Sequence, residues 1–269
     1  MGQDPGCVSC TANRQRLTAR PKLGQHFLIR GSTLERIAAA ACPKPEAQVV
    51  EIGPGRGALT EKLLARAARV VAVEIDSDLA DHLRRKFAGE ERLEILAQDA
   101  LETDFSQWGH ASITGNLPYY VASPILTKVA RLDVPRAVFL IQKEVAERLV
   151  AKPGERAYGF LTVQIALWME ARRLFEVKPA AFRPPPKVDS AVVLLEPRKQ
   201  KLPVGDPDAF LAFVSLAFRH KRKTLRNNLA ETYGKENVDR WPEASLRAEQ
   251  LSLEQFLEIY KRLGALAVS

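Results

Sequence analysis

The chain has 269 residues, 46% of them hydrophobic and 27% charged, with a formal net charge of +8. These proportions exclude an intrinsically disordered chain, and no apolar run approaches the ~20 residues of a membrane helix. Three cysteines exclude a disulfide scaffold, and the basic balance permits a polyanionic partner without naming one.

Residues 1–20 are polar, contain early Gly and Pro, and show no periodicity. They are expected to form a flexible leader with basic Arg14, Arg16 and Arg20. The leader has no apolar signal core, which predicts a cytoplasmic protein. Cys7 and Cys10 have the spacing of a metal or redox pair. No second Cys/His pair completes a zinc site, so no metal is expected. Ser32, three residues before Glu35, predicts a capping box at the start of a helix. Leu34, Ile37 and Ala38 follow at helical spacing. Just upstream, Phe27 and Leu28 suit a hydrophobic staple, with Gln25 and His26 on the surface.

Residues 48–52 predict a buried strand that runs into Gly53-Pro54-Gly55-Arg56-Gly57 and a helix over 59–67. The glycine spacing is G-x-G-x-G, unlike the G-x-G-x-x-G of pyrophosphate-binding domains. Such glycines let backbone approach a ligand. Residues 70–76 predict a second buried strand ending in acids. Glu74 lies 21 residues after Gly53, a spacing suited to an acid that holds ribose hydroxyls. Asp76 is expected to cap or flank the next helix. Residues 93–96 predict a third strand, and Asp99 is a second acid at a strand's carboxyl end.

An apolar run at 112–114 leads into Gly115-Asn116-Leu117-Pro118-Tyr119-Tyr120, followed by a helix over about 123–131. Here an amide side chain adjoins a backbone carbonyl, then a proline without an N–H, then an aromatic ring. Two acceptors, at Asn116 and at the Leu117 carbonyl, can take the hydrogens of a planar amine. Tyr119 can lie against the ring that bears it. The exocyclic amine of adenine is such a group.

Residues 136–142 predict a fifth strand and 143–149 a helix. Residues 158–169 fit helix or strand, and 172–177 resemble an edge strand. Residues 179–190 form a loop stiffened by Pro184, Pro185 and Pro186, with a strand over 191–195 after it. Phe182 is either a second face for the base, opposite Tyr119, or a core residue. Residues 197–207 are a candidate linker. Beyond it, Phe210, Phe213, Val214 and Ala217, then Leu225 and Leu229, then Leu253, Phe256, Leu257 and Tyr260 predict a small helical domain. Between its first two helices, Arg219, Lys221, Arg222, Lys223 and Arg226 crowd beside Asn227 and Asn228. That crowding suits phosphate contact, against the blander reading of a solvated face.

Strand–helix alternation with ligand residues at strand ends predicts an α/β, doubly wound parallel sheet. The expected division is a leader over 1–20, a sheet domain over 21–200 and a helical domain over 201–269. The glycine turn and two acids suit an adenine nucleoside cofactor, and the lack of a P-loop argues against ATP. An amine acceptor beside it suggests methyl transfer from S-adenosylmethionine.

From Lys22 onward the chain resembles the KsgA family of bacterial small-subunit rRNA adenine dimethyltransferases. Five motifs carry the resemblance in order: Gly24-Gln25-His26-Phe27-Leu28, Glu51-Ile52-Gly53-Pro54-Gly55, Asn116-Leu117-Pro118-Tyr119, Phe182-Arg183-Pro184-Pro185-Pro186-Lys187-Val188-Asp189-Ser190, and Arg222-Lys223-Thr224-Leu225-Arg226-Asn227-Asn228. It implies a Rossmann-like class I methyltransferase sheet with a small C-terminal helical domain. It implies dimethylation, at N6, of two adjacent adenosines in the 3′-terminal hairpin loop of 16S rRNA within the immature 30S subunit. It assigns His26, Leu28, Gly53, Glu74, Asp99 and Asn116 to S-adenosylmethionine contacts, with Gly55 in the same turn. Residues 25–28 become a lid, and Asn116 to Tyr119 the catalytic segment. The chain departs from the family at Tyr120, where members often have Asn, and at Arg30 and Gly31, where many have an acid. An Erm-type large-subunit methyltransferase shares most of these features, but the triple-proline loop and the 222–228 segment favour the KsgA reading. A silent RNA-binding relative is disfavoured by the intact catalytic segment. A nicotinamide oxidoreductase is disfavoured by the glycine spacing. A monomer is expected.

Overall fold

The computed structural model describes residues 26–266. The expected leader, Cys7, Cys10 and Gln25 lie outside the described residues. The first half runs β1 (Phe27–Leu28), α1 (Gly31–Ala41), β2 (Glu46–Ile52), α2 (Ala58–Leu64), β3 (Ala67–Glu74), α3 (Ser77–Lys86) and β4 (Leu93–Ala97). Then come β5 (Ser112–Asn116), α4 (Ala122–Ala130), β6 (Ala137–Gln142), α5 (Lys143–Val150), α6 (Phe160–Ala166), β7 (Met169–Val177), β8 (Phe182–Arg183) and β9 (Ser190–Pro197). Four helices follow: α7 (Pro207–Ala217), α8 (Leu225–Tyr233), α9 (Lys235–Asp239) and α10 (Leu253–Leu266).

One seven-stranded sheet has the order β4-β3-β2-β5-β6-β9-β7. The first five of these strands are parallel. β9 is antiparallel to both β6 and β7, so the sheet is mixed, not wholly parallel as expected. The reason is the connection. β7 returns as β9 through the proline loop, without a crossover helix, and a short return must be antiparallel.

The strands are apolar on both faces because helices cover both. Successive residues alternate between two cores. Val50, Val71, Ile113, Phe139 and Val193 pack with α4 and α5. Val49, Val70, Val138, Leu140 and Val192 pack with α1 and α2. A third core joins Tyr158, Val163 and Leu167 to Phe210, Phe213, Leu225, Leu229 and Phe256. The Tyr158 hydroxyl donates to the Leu251 carbonyl at 2.8 Å. The helical segment beyond residue 207 is thus built onto α6, and its core does not stop at residue 200.

Two local expectations are corrected and one open reading is resolved. The Ser32–Glu35 box does not form, because α1 already starts at Gly31 and Arg30 caps it without a side-chain bond. Glu35 instead meets Lys62 and Arg66. The helix expected over 59–67 ends at Leu64, and Ala67 opens β3. Residues 158–169 resolve into α6 and the start of β7. No helix among the described residues is long and apolar enough to cross a membrane.

Candidate active site

The chain builds β2, β3 and β4 outward, then returns to place β5 on the other side of β2. This reversal opens a crevice beyond the carboxyl ends of β2 and β5, where α/β sheets bind ligands. Gly115 of β5 makes the approach close. A Cβ there would lie 2.2 Å from the Ile52 carbonyl oxygen. Gly53, just past β2, would point a Cβ to within 3.5 Å of the Asn116 carbonyl oxygen. Gly53 and Gly55 have φ of 68° and 57°, a left-handed backbone that glycine adopts freely.

Glu74 ends β3 and is buried. Its Oε2 accepts the Gly55 N–H at 3.0 Å and its Oε1 the Asp76 N–H at 3.1 Å. Burial pushes its pKa up, and those two N–H groups pull it back. Asp76 caps α3 as expected, accepting from Asp78 and Leu79. Asp99 accepts the Leu101 N–H on Oδ1 at 2.8 Å. Beside these acids along the chain stand two exposed aliphatic side chains, Ile75 and Leu101. Sequence reasoning passed over both, although an apolar residue beside a strand-end acid was a signal.

It quoted Glu51 in a motif but gave it no role of its own. This carboxyl is 1% exposed and its Oε2 accepts the Thr60 hydroxyl at 2.6 Å. Burial pushes its pKa up to about 8, and the nearby Glu74 charge adds to the rise. A glutamate inside the apolar run Val49-Val50-Glu51-Ile52 was the available clue.

The segment at 26–28 is drawn into the site. β1 pairs antiparallel with β8, Phe27 opposite Arg183 and Leu28 opposite Phe182. The Phe27 ring lies 3.0 Å from where a Gly55 Cβ would stand. Asn116 Nδ2 donates to the His26 carbonyl at 3.1 Å. His26 Nδ1 is 2.7 Å from the Pro184 carbonyl, which can only accept, so Nδ1 carries the proton. Its ring sits 5.9 Å from that of Tyr119, whose hydroxyl is 3.4 Å from Ser190 Oγ.

Within the segment from Asn116 to Tyr119, Leu117 is anchored. Its side chain is 1% exposed and its N–H donates to the Leu140 carbonyl at 3.0 Å. No group among the described residues donates to the Leu117 carbonyl. Pro118 accepts the Val121 N–H at 3.1 Å and closes the turn. Phe182 offers no open face. It is 3% exposed and packs in the core with Leu28 and Ala181, so the structure gives it the core alternative.

The basic segment lies between α7 and α8. Arg219, His220, Lys221, Arg222 and Lys223 line a concavity of about 560 Å³. Arg219 meets Glu231 at 3.6 Å, Lys221 meets Glu249 at 3.7 Å, and Arg226 is held at 2.7 Å by Asp239. Arg222 and Lys223 are exposed, with no ion pair among the described residues. Asn228 is not available to phosphate. It is 3% exposed, and its Nδ2 donates to the Ala217 and His220 carbonyls. The amide shapes the loop from inside.

Fold and crevice place the chain among the class I S-adenosylmethionine-dependent methyltransferases. A family model narrows that class: residues 16–264 match the one described as ribosomal RNA adenine dimethylase, and the chain belongs to that family. A ribosomal RNA small subunit methyltransferase A from Synechococcus elongatus is 38% identical, over 92% of this chain and 96% of the relative. The protein of the same description from Nitrosospira multiformis is 42% identical, over 90% and 95%. Among solved structures, a dimethyladenosine transferase from Plasmodium falciparum has a TM-score of 0.75 at 28% identity, covering 89% of this chain and 98% of its own. The 23S rRNA methyltransferase ErmE has 0.70 at 28%, covering 88% and 99%. The chain is therefore an S-adenosylmethionine-dependent rRNA methyltransferase.

Proposed function

We propose that the enzyme dimethylates N6 of two adjacent adenosines in the 3′-terminal hairpin loop of 16S rRNA. On this reading it acts as a cytoplasmic monomer on the immature 30S subunit, late in assembly. The observation that carries the chemistry is the state of the two acceptors. Asn116 Nδ2 is committed to the His26 carbonyl, which leaves Oδ1 as a free acceptor, and the Leu117 carbonyl is also free.

S-adenosylmethionine, when bound, supplies an electrophilic methyl group. The residues present fit it. Left-handed Gly53 and Gly55 let backbone approach, Glu74 and Asp99 offer carboxylate oxygens to hydroxyl and amine donors, and Ile75 and Leu101 offer apolar surface. The Phe27 ring lies against the glycine turn at Gly55.

The adenine amine is a poor nucleophile because its lone pair is delocalised into the ring. Acceptors at Asn116 Oδ1 and the Leu117 carbonyl draw its two hydrogens out of conjugation and aim the lone pair. The N–H proton becomes acidic as the N–C bond forms, so no strong base is needed. Positioning and fixed dipoles carry the step. Tyr119 holds the ring by its face. The base must leave its stack, which costs least in an unpaired loop.

Relatives named for the small subunit favour the small-subunit site over the large-subunit alternative. The test is a labelled-methyl assay on undermethylated small subunits and on large-subunit RNA, with the modified base identified by mass. Dimethyladenosine in the small-subunit hairpin is the expected result. Label confined to large-subunit RNA would overturn it.

A further inference from the structure

Three segments meet around Asn116, and each turns one apolar side chain outward. They are bound to one another through Asn116 to the His26 carbonyl, His26 to Pro184, and Tyr119 to Ser190. The 26–29 segment exposes Ile29 by 49%, the turn after β5 exposes Tyr120 by 58%, and the proline loop exposes Val188 by 46%. Single exposed apolar residues are ordinary. Three on segments that converge at one acceptor pair mark a rim.

Tyr120 is the most exposed of the three. It shares a tight turn with Tyr119, and the two rings have different fates. Tyr119 is half-buried and lies beside His26, whereas Tyr120 makes no hydrogen bond among the described residues. Nothing in the described fold uses its ring. An open aromatic face at the mouth of a site that takes an unstacked base is a stacking platform.

We infer that Tyr120 stacks on the nucleobase adjoining the adenosine being methylated, with Ile29 and Val188 as its apolar surround. The site then holds a pair of neighbouring bases, one inside and one at the rim. This rests on the adenosine-pair reading above. A polar side chain at this position would leave the neighbouring base without a partner face.

The test is steady-state methylation of undermethylated small subunits by wild type, Tyr120→Ala and Tyr120→Phe, with S-adenosylmethionine affinity of each measured by calorimetry. Tyr120→Ala is expected to raise KM for the subunit about tenfold or more, as loss of one base–aromatic stack does. Its kcat should change less than twofold and its cofactor affinity not at all. Tyr120→Phe keeps the face and should behave as wild type. An unchanged KM in Tyr120→Ala overturns the inference. So does a Phe variant as impaired as the Ala variant, because the hydroxyl would then be the contact. A fall in cofactor affinity overturns it too, because the ring would then support the site's structure. Wild type inactive on small subunits overturns the adenosine-pair reading and this inference with it. Active wild type with an unimpaired Ala variant overturns this inference alone.

Discussion

Asn116 does two things with one amide. Its Nδ2 is tied to the His26 carbonyl, and because a carbonyl cannot donate, the amide cannot flip. Its Oδ1 is therefore left as the acceptor proposed for the incoming amine. Asn116→Ala should lower kcat by about 10²- to 10³-fold, the usual cost of one preorganised polar group. Cofactor affinity should weaken only moderately. Single-turnover methylation alongside calorimetry measures both, and full turnover would remove Asn116 from the acceptor role. Glu51 gives a second residue-scale prediction. In the unfolded chain it ionises near its ordinary value of 4.5, whereas burial holds its proton on to about 8 in the fold. Across that window the folded state binds more protons, so stability falls as pH rises, and the loss is complete above about 8. The contribution can reach about 1.4 kcal/mol per pH unit. Glu51→Gln keeps an acceptor for Thr60 and removes the titration. Urea unfolding from pH 5 to 9 should show a shallower decline in the variant. Some slope should persist, because Glu74 is shifted in the same direction. Parallel curves for the two proteins would refute the assignment.

At the scale of elements, the crevice depends on how closely β2 and β5 can lie. Gly115→Ala would set a methyl 2.2 Å from the Ile52 carbonyl oxygen, a backbone atom that cannot turn aside. The strands would have to part, at a cost of roughly 2–4 kcal/mol. A lowered urea midpoint tests this, and an unchanged one would mean that the sheet has slack. The parallel strands were legible because burial on both faces writes them as continuous apolar runs. The glycine turn and Asn116-Leu117-Pro118-Tyr119 were legible because their chemistry is local. What escaped depends on partners distant in sequence. Phe182 is buried because Leu28, far earlier in the chain, pairs across from it. α6 had no single period because it serves two cores, with Ile165 in one and Val163 in another, joined there by Leu167 just past the helix. Glu51 was hidden by the very run that buries it. Asn228 looked like a surface amide because its two carbonyl partners belong to a loop whose path the sequence does not state.

At the scale of the whole molecule, the net charge of +8 matters by where it is free to act. Arg219, Lys221 and Arg226 already face Glu231, Glu249 and Asp239, and exposed pairs of this kind contribute little. Arg222 and Lys223 extend from the loop that Asn228 braces, in a helical unit whose core is continuous with α6. We propose them as the phosphate contacts of this segment. Phosphate contacts position an RNA without reading it, and each one releases condensed counterions. Replacing both by Gln should therefore weaken binding of small-subunit RNA and flatten its salt dependence. For two lost contacts the slope of log K against log salt should fall in magnitude by about 1.5 to 2. Filter binding between 50 and 200 mM salt would measure it. A weaker complex with an unchanged slope would mean that the residues act through loop structure. An unchanged affinity and slope would return the segment to a solvated face, leaving the base contacts to carry recognition.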